Sequence, residues 1–336
     1  MKVAGIDFDW PKNIDVDPES GTLKLCTKAI GIDTKNYCNM QYDDASFEAW
    51  ALYLYVAKPK TIRLDLQDDA SEEISKIKDF PLLVHNHFNR FLYRVMNFKN
   101  QYGDWFKIDG KLASAVEEFE QALNENHFCG NRPKGPASTA PTTLERRVEA
   151  AFADTRGAEL LKNFMQEKHG IEVGQIFRQL PAGLFLGSTP SHVTEPNRVF
   201  PGGPAAIDLW ALSADKREII IYELKAGNRM AGIISELMFY ANFIYDMYVE
   251  KKFQPMILAE KNYRGYKDLY DASQNGLTGV KAFMLTDDKP HDQFTDQVLA
   301  EMNASAPSRK IVYGTIRYKF DDDGISSPTI TEVTQG

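Results

Sequence analysis

Two apolar stretches near the middle of the chain flank a short polar stretch, and this is the clearest pattern in the sequence. Residues 205–212 and 218–225 are dominated by apolar side chains, whereas residues 213–217 read Ser-Ala-Asp-Lys-Arg. Apolar runs on both sides of such a polar break predict a β-hairpin. A four-residue loop over residues 214–217 pairs position 213 with position 218, and the same register places Asp208 opposite Glu223.

The predicted hairpin brings charged side chains together on one face. Residues that lie directly opposite on an antiparallel pair have Cβ atoms about 4.5–5.5 Å apart. The carboxylates of Asp208 and Glu223 would repel each other at that distance unless a cation lies between them. Lys225 follows Glu223 by two residues and therefore points to the same face. We expect two acids and one lysine to converge on a site that suits a divalent metal and a phosphate.

Hydrophobic periodicity predicts further elements on both sides of the hairpin. Thr142 and Glu145 have the spacing of a capping box, which predicts the start of another helix. The order of helix, strand, hairpin, helix, strand and strand predicts an α/β core with a mixed sheet. The other predicted helices cover residues 44–57, 82–98, 112–123, 160–168 and 230–249, and the predicted strands cover residues 61–66, 175–180, 253–258, 280–285 and 310–320.

The chain has 336 residues, which is enough for two domains with full cores. Residues 126–143 contain three prolines and two glycines without any periodicity, and such a stretch is typical of a linker. We therefore predict an N-terminal α+β domain over residues 1–125, whose role the pattern does not indicate. A second domain, which contains the hairpin, is predicted over residues 144–336.

Composition narrows the class of protein. Hydrophobic residues make up 43% of the chain and charged residues 26%, as in ordinary soluble proteins. No apolar run approaches the length that spans a membrane, and the first residues lack a signal-peptide core. The three cysteines are widely spaced without a CxxC pair, so we expect a reducing cytoplasm. A net charge of −8 argues against a protein that coats nucleic acid, but not against an enzyme that carries its own metal-binding carboxylates.

The stretch from Gly202 to Asp208, followed by Glu223-Leu224-Lys225, resembles the PD-(D/E)xK nuclease superfamily. Members of that family carry an acid after a short loop, then a hairpin, then acid-x-Lys on the next strand. The proline of the family name does not directly precede Asp208 here. The resemblance covers roughly residues 141 to 290 and implies a restriction-endonuclease-like fold, a mixed sheet flanked by helices.

The resemblance implies a particular chemistry for the site. Asp208, Glu223 and the backbone carbonyl of Leu224 are expected to hold Mg²⁺ or Mn²⁺, since magnesium binds few protein oxygens and keeps several waters. A metal-bound water is then the expected nucleophile on a phosphodiester. Lys225 is expected to orient or deprotonate this water, or to stabilise the charge of the transition state.

The family also takes a carboxylate from the helix before the sheet and a glutamine from the helix after the lysine. Glu145 and Glu149 are both candidates for the first, and Glu145 fits better because Val148 and Phe152 follow it in the family's pattern. Glu236 stands where the glutamine is expected, and we predict that it binds a second metal or pairs with Lys225.

Several residues are candidates for contact with the substrate backbone. They are the polar or aromatic residues predicted near the site: Arg146, Arg178, Gln179, Arg229 and Tyr240. The tripeptide His85-Asn86-His87 lacks the spacing of an HNH nuclease, and we expect its histidines to be packed or capped.

These patterns predict a metal-dependent nuclease, a hydrolase of phosphodiester bonds with DNA as the expected substrate and RNA as the alternative. A homodimer is possible, because relatives often cut duplexes as dimers. The alternative is a catalytically weak or inactive module on the same fold that binds nucleic acid or regulates another protein.

Overall fold

The computed structural model covers most of the chain. It describes residues 2–3, 6–7, 10–77, 82–108, 110–137, 143–187, 195–201, 206–227, 230–256, 261–287, 292–304, 309–320 and 329–334. Within these ranges, no helix has both the length and the apolar character needed to cross a bilayer.

The first third of the chain forms a four-stranded sheet with helices packed around it. Its strands lie in the order β3-β4-β5-β6, with β3 antiparallel to β4 and the other pairs parallel. The elements are β1 (Lys2–Val3), β2 (Ile6–Asp7), β3 (Ile14–Asp17), β4 (Thr22–Leu25), α1 (Thr27–Ile30), α2 (Phe47–Ala57), β5 (Ile62–Leu66), α3 (Asp68–Lys76), α4 (Asn86–Tyr102), β6 (Phe106–Ile108), α5 (Gly110–Glu125) and β7 (Phe128–Gly130).

The remainder of the chain builds a second, larger sheet. Its elements are α6 (Leu144–Ala153), α7 (Thr155–His169), β8 (Phe177–Pro181), β9 (Leu184–Leu186), β10 (Ala206–Leu212), β11 (Glu218–Lys225), α8 (Gly232–Ile244), α9 (Tyr266–Gln274), β12 (Gly279–Thr286), α10 (Asp292–Ala304), β13 (Ile311–Lys319) and β14 (Thr329–Thr334). A short π-helix at Tyr245–Val249 continues α8.

The large sheet is mixed. Its six strands lie in the order β14-β13-β12-β11-β10-β8. The strands β8, β10 and β11 form an antiparallel meander, whereas β11, β12 and β13 are parallel and β14 is antiparallel to β13. The α/β class predicted from the sequence is therefore confirmed.

The hairpin has the predicted register. Leu209 pairs with Tyr222 and Leu212 with Ile219. The N–H of Ser213 donates to the carbonyl of Glu218 at 3.0 Å, which closes the predicted four-residue loop. Extended by one position from the Leu209–Tyr222 pair, away from the loop, the same register sets Asp208 opposite Glu223.

The two faces of the large sheet pack against different helices. Ile220, Tyr222 and Leu224 lie in a core with residues of α6 and α7. Ile219 and Ile221 face the other way and join a core that includes α8. Because side chains alternate along a strand, Glu223 and Lys225 continue the face that looks toward α8.

The two predicted domains share one of these cores. The core on the α8 side extends without interruption into α2, α4 and the small sheet. At Gly232, the first residue of α8, an added Cβ atom would lie 1.9 Å from the carbonyl oxygen of Gln41, so the N-terminal part approaches this helix closely. The two-domain division stays a prediction, and any boundary crosses a continuous hydrophobic core.

The segment predicted as a linker contains a strand. Residues 128–130 are buried and form β7, which pairs antiparallel with β9. Part of the segment is therefore a strand, which the sequence pattern did not indicate. The reason is that a strand of three residues is too short to show periodicity and gains its partner only in the folded chain.

Other elements also differ from the predictions. The helix cap predicted at Thr142, which lies outside the described residues, is instead made by Thr143, whose hydroxyl accepts from the N–H of Arg146. The predicted strand 253–258 is absent from its described residues 253–256, where only Gln254 makes an isolated bridge. Pro181 ends β8 as its last residue, which an edge strand tolerates.

Candidate active site

The open end of the hairpin, away from its loop, brings the predicted charged residues to one cleft. Asp208 lies on β10, and Glu223 and Lys225 lie at the end of β11. All three line a cleft of about 670 Å³. Further lining residues on this side are Glu145 from α6 and Glu236 and Tyr240 from α8.

Lys225 is surrounded by carboxylates. Its Nζ lies 3.1 Å from Glu223 Oε1, 2.9 Å from Glu236 Oε2 and 3.7 Å from Glu145 Oε1. Burial alone would lower the pKa of this amine, but the four carboxylates around it, including that of Asp208, outweigh burial and raise the pKa well above its usual value. Lys225 therefore carries a positive charge at neutral pH.

Asp208 receives little compensation for its charge. The N–H of Leu224 donates to Asp208 Oδ2 at 2.9 Å. Burial, followed by the charge of Glu145, raises the pKa of the Asp208 carboxyl to about 8, although Lys225 and the bond from Leu224 oppose this shift. The site thus disfavours the ionised form of this acid unless further positive charge is added.

Glu223 is the most deeply buried acid of the group, with 3% of its surface exposed. Its Oε1 accepts from Lys225, whereas its Oε2 is buried and has no hydrogen-bond partner among the described residues. Burial, followed by the charges of Asp208 and Glu236, raises its pKa well above the usual value. A buried oxygen of this kind is costly to leave unbonded, which points to a missing partner.

The donor set suits a hard cation, although the described residues do not form a closed cage. Carboxylate oxygens are the ligands that Mg²⁺ and Mn²⁺ prefer, and two such groups face each other at Asp208 and Glu223. Across the described ranges, no three His, Cys, Asp or Glu side chains are grouped so as to hold a metal ion. The acids instead gather around the ammonium of Lys225.

The structure separates the two helix carboxylates that the sequence left open. Glu145 reaches the cleft and Lys225, and burial raises the pKa of its carboxyl. Glu149 is buried elsewhere, where its Oε1 accepts from Arg178 Nε at 2.7 Å. Its other oxygen lies 3.5 Å from Gln179 Nε2. Glu145 is thus the helix acid that joins the cluster.

The predicted contacts to a substrate backbone do not gather in one place. Arg178 and Gln179 are engaged by Glu149 as described, and Arg146 is not part of the cleft lining. Tyr240 does line the cleft and is almost fully buried. Arg229 lies outside the described residues.

Sequence reasoning missed the opposite wall of the cleft. Tyr37, Asn39, His87 and Arg90, all from the first third of the chain, line it. The expectation that His87 is merely packed or capped is therefore incomplete, since this side chain faces the cleft. The sequence contains one indication, the aromatic and histidine-rich character of residues 82–98. It could not show that this helix approaches the hairpin, because that approach is a tertiary contact.

Comparison with known proteins does not place this chain in a family. No protein-family model, no curated protein and no solved structure matches it.

Proposed function

We propose that the protein is a metal-dependent nuclease that hydrolyses phosphodiester bonds in DNA. The observation that carries the proposal is the meeting of Asp208, Glu223 and Lys225 in one cleft, where a buried oxygen of Glu223 has no hydrogen-bond partner among the described residues. This arrangement combines two facing acids and a cation, which are the groups that metal-assisted phosphodiester hydrolysis requires.

The chain topology supports a restriction-endonuclease-like fold as part of this proposal. Helix α6 precedes the antiparallel meander of β8, β10 and β11, and α8 and α9 then lie between β11 and the parallel strand β12. This order places the acid-x-Lys triplet at the end of the third meander strand, where the PD-(D/E)xK resemblance requires it.

The residues fit a divalent ion in chemical type. Asp208, Glu223 and the carbonyl of Leu224 would hold Mg²⁺ or Mn²⁺. The bound ion would lower the pKa of a water molecule and offset negative charge on the phosphate. The raised pKa of Asp208 and the unbonded oxygen of Glu223 support this assignment, because both features are relieved by added positive charge.

Among the roles open to Lys225, its surroundings favour electrostatic stabilisation. Its pKa is raised rather than lowered, so it does not accept a proton from water at neutral pH. A charged amine at this position stabilises the negative charge that develops on the phosphate. Glu236, at 2.9 Å, acts on the reaction through Lys225 by holding this amine in place.

Cleavage assays test the proposal directly. Plasmid and single-stranded DNA are incubated with Mg²⁺ or Mn²⁺ and with the wild type, Lys225→Met, or the control Lys281→Met. Lys281 lies on the adjacent strand β12 and pairs with Glu218 at 3.5 Å, away from the cleft. We expect cleavage by the wild type and by the control variant only. Equal cleavage by Lys225→Met and the wild type would rule the proposal out.

The second candidate is a module on the same fold that binds nucleic acid with little or no catalysis. Two observations favour it. Arg178 forms an ion pair with Glu149, so its charge is already neutralised. Among the described residues, the acids around Lys225 do not form a group that could hold a metal ion. Such a module binds DNA equally well in EDTA and in Mg²⁺, and it leaves the DNA intact in both.

Two further parts of the proposal concern setting and assembly. Cys26, Cys38 and Cys129 form no disulfide bond in the described part of the chain, which suits the proposed reducing cytoplasm. The proposed homodimer is tested by light scattering of the purified chain, with a monomer mass as the contrary result.

A further inference from the structure

Among the described residues, the part of the cleft lining that comes from the first third of the chain contains a buried arginine that forms no ion pair. Arg90 lies on α4 and is 6% exposed. Its NH2 group is 3.3 Å from Asn39 Oδ1 and 3.4 Å from His87 Nδ1. In the part of the chain that the structure describes, no carboxylate forms an ion pair with it. Burial lowers the pKa of Arg90 to about 10, although the charge of Glu236, which forms no ion pair with it, opposes this shift. A buried guanidinium that is only partly compensated is costly, which points to an anion that completes the site.

The next turn of the same helix shows what a purely structural arginine looks like here. Arg94 donates from both Nε and NH2 to Glu48, and from NH2 to the carbonyl of Ala45 at 2.8 Å. Its charge is therefore neutralised inside the protein. Arg90 differs, since no acid among the described residues forms an ion pair with it and it borders an open cleft.

An aromatic pair lies beside Arg90. The rings of Tyr37 and His87 stack with centroids 3.5 Å apart at 30°, and Tyr37 remains 42% exposed. Burial and the charge of Arg90 lower the pKa of His87 to about 3, so its ring is neutral at physiological pH. A neutral aromatic stack next to a guanidinium is the combination that holds an unpaired base and its phosphate.

The volume of the cleft and the burial of its charged residues restrict the form of the substrate. Its volume of about 670 Å³ falls within the range of roughly 300–1,000 Å³ typical of pockets for small molecules. Glu223 and Lys225, which would act on the phosphate, are almost fully buried within it. A single strand can enter such a space one nucleotide at a time. A duplex is too wide to enter, so its phosphates stay outside the cleft and away from Glu223 and Lys225.

We infer that the first third of the chain supplies part of the substrate site: Arg90 binds a phosphate, and the Tyr37–His87 stack holds the adjacent base of single-stranded DNA. This inference rests on the proposed function and deepens it, since it names the form of DNA that the cleft accepts. It also gives residues 1–125 a role in recognition.

Fluorescence anisotropy in EDTA tests the base platform without any need for cleavage. A labelled single-stranded oligonucleotide and the matching duplex are titrated with the wild type, Tyr37→Ala and Tyr42→Ala. Tyr42 is the matched control, because it is 45% exposed and is not part of the cleft lining. We expect tighter binding of the single strand than of the duplex. We also expect about a tenfold loss of single-strand affinity for Tyr37→Ala, with none for Tyr42→Ala.

Salt dependence tests the phosphate contact. The logarithm of the binding constant falls as the logarithm of the salt concentration rises. Arg90→Gln is expected to make this slope less steep by about 0.7 for a single strand, which is the effect of losing one phosphate contact. Lys99→Gln removes a charge from the same helix outside the cleft and is expected to leave the slope unchanged. A merely structural role of Arg90 would not change this slope. If Arg90→Gln does not fold, the exposed Tyr37 still provides the test.

The outcomes separate this inference from the proposed function. Equal single-strand affinity of Tyr37→Ala and Tyr42→Ala overturns the inference, and so does tighter binding of the duplex, even if the wild type cleaves DNA. Loss of affinity in Tyr37→Ala supports the inference, even if no variant cleaves and the nuclease proposal fails. Binding of free mononucleotides without any binding of oligonucleotides also overturns it.

Discussion

Two groups of buried charges in this protein are built in opposite ways. Arg94 and Glu48 lie in the core, each with about 3% or less of its side chain exposed, and they satisfy each other through two hydrogen bonds. Lys225 lies at the cleft among Glu223, Glu236 and Glu145, with Asp208 close enough to affect its pKa. The first group is balanced one to one, whereas the second holds a surplus of acids.

This difference distinguishes a structural group from a functional one. A closed, fully bonded pair contributes to the fold and has no capacity left for a ligand. The cleft group has unbonded oxygen, raised acid pKa values and access to solvent, so folding gains little from it. Groups kept in such a state are common at functional sites, because a ligand completes them.

The largest expected effect is the loss of stability when the core pair is broken. Arg94→Met leaves Glu48 buried without a partner, which costs about 3–5 kcal/mol. We expect a clear fall in the urea midpoint of unfolding, while the protein that remains folded keeps its cleavage activity. An unchanged midpoint would show that the two groups do not differ as described.

The next effect is the reverse, a loss of activity without a loss of stability. Glu223→Gln removes one negative charge from the crowded cleft, and we expect cleavage to fall by at least about 10²-fold. Its midpoint of unfolding should stay level or rise, because the variant relieves repulsion from Asp208 and Glu236. A large fall in stability with full activity would assign Glu223 to the fold instead.

Divalent metal should affect only the cleft group. At a concentration about 100-fold above Kd, a ligand stabilises the folded state by about 2.7 kcal/mol. We expect Mn²⁺ or Mg²⁺ to raise the Tm of the wild type and of the control Glu159→Gln, an acid on α7 that pairs with Lys162 at the surface. Asp208→Asn should lose the increase. The same increase in Asp208→Asn would place the metal elsewhere.

The centre of the site was predictable from the sequence because it is local. The register of the hairpin follows from loop length and alternation, and it places Asp208 opposite Glu223 without any tertiary information. Glu145 and Glu236 were predicted from the resemblance to a known family, because the resemblance indicates which helices pack beside the hairpin. The spacing along the sequence alone does not.

The other wall of the cleft was not predictable in this way. Tyr37 and Arg90 reach the hairpin from more than a hundred residues away, through a core that joins the two halves of the chain. No spacing along the sequence encodes such a contact. The short strand β7 was missed for the same reason, since its partner β9 follows more than fifty residues later.

A further expected effect is a change of stability with pH in the absence of metal. The pKa of Asp208 is about 8 in the folded protein, against about 3.9 in an unfolded chain. Between these values the folded state keeps a proton that the unfolded state has lost, so stability falls as pH rises through this window. The raised pKa of Glu223 acts in the same direction. Thermal unfolding in EDTA, from about pH 5 to about pH 9, should therefore show a decline in the wild type that is shallower in Asp208→Asn. Parallel curves for the two proteins would mean that the charge of Asp208 is already compensated, and the cleft would then resemble the core pair.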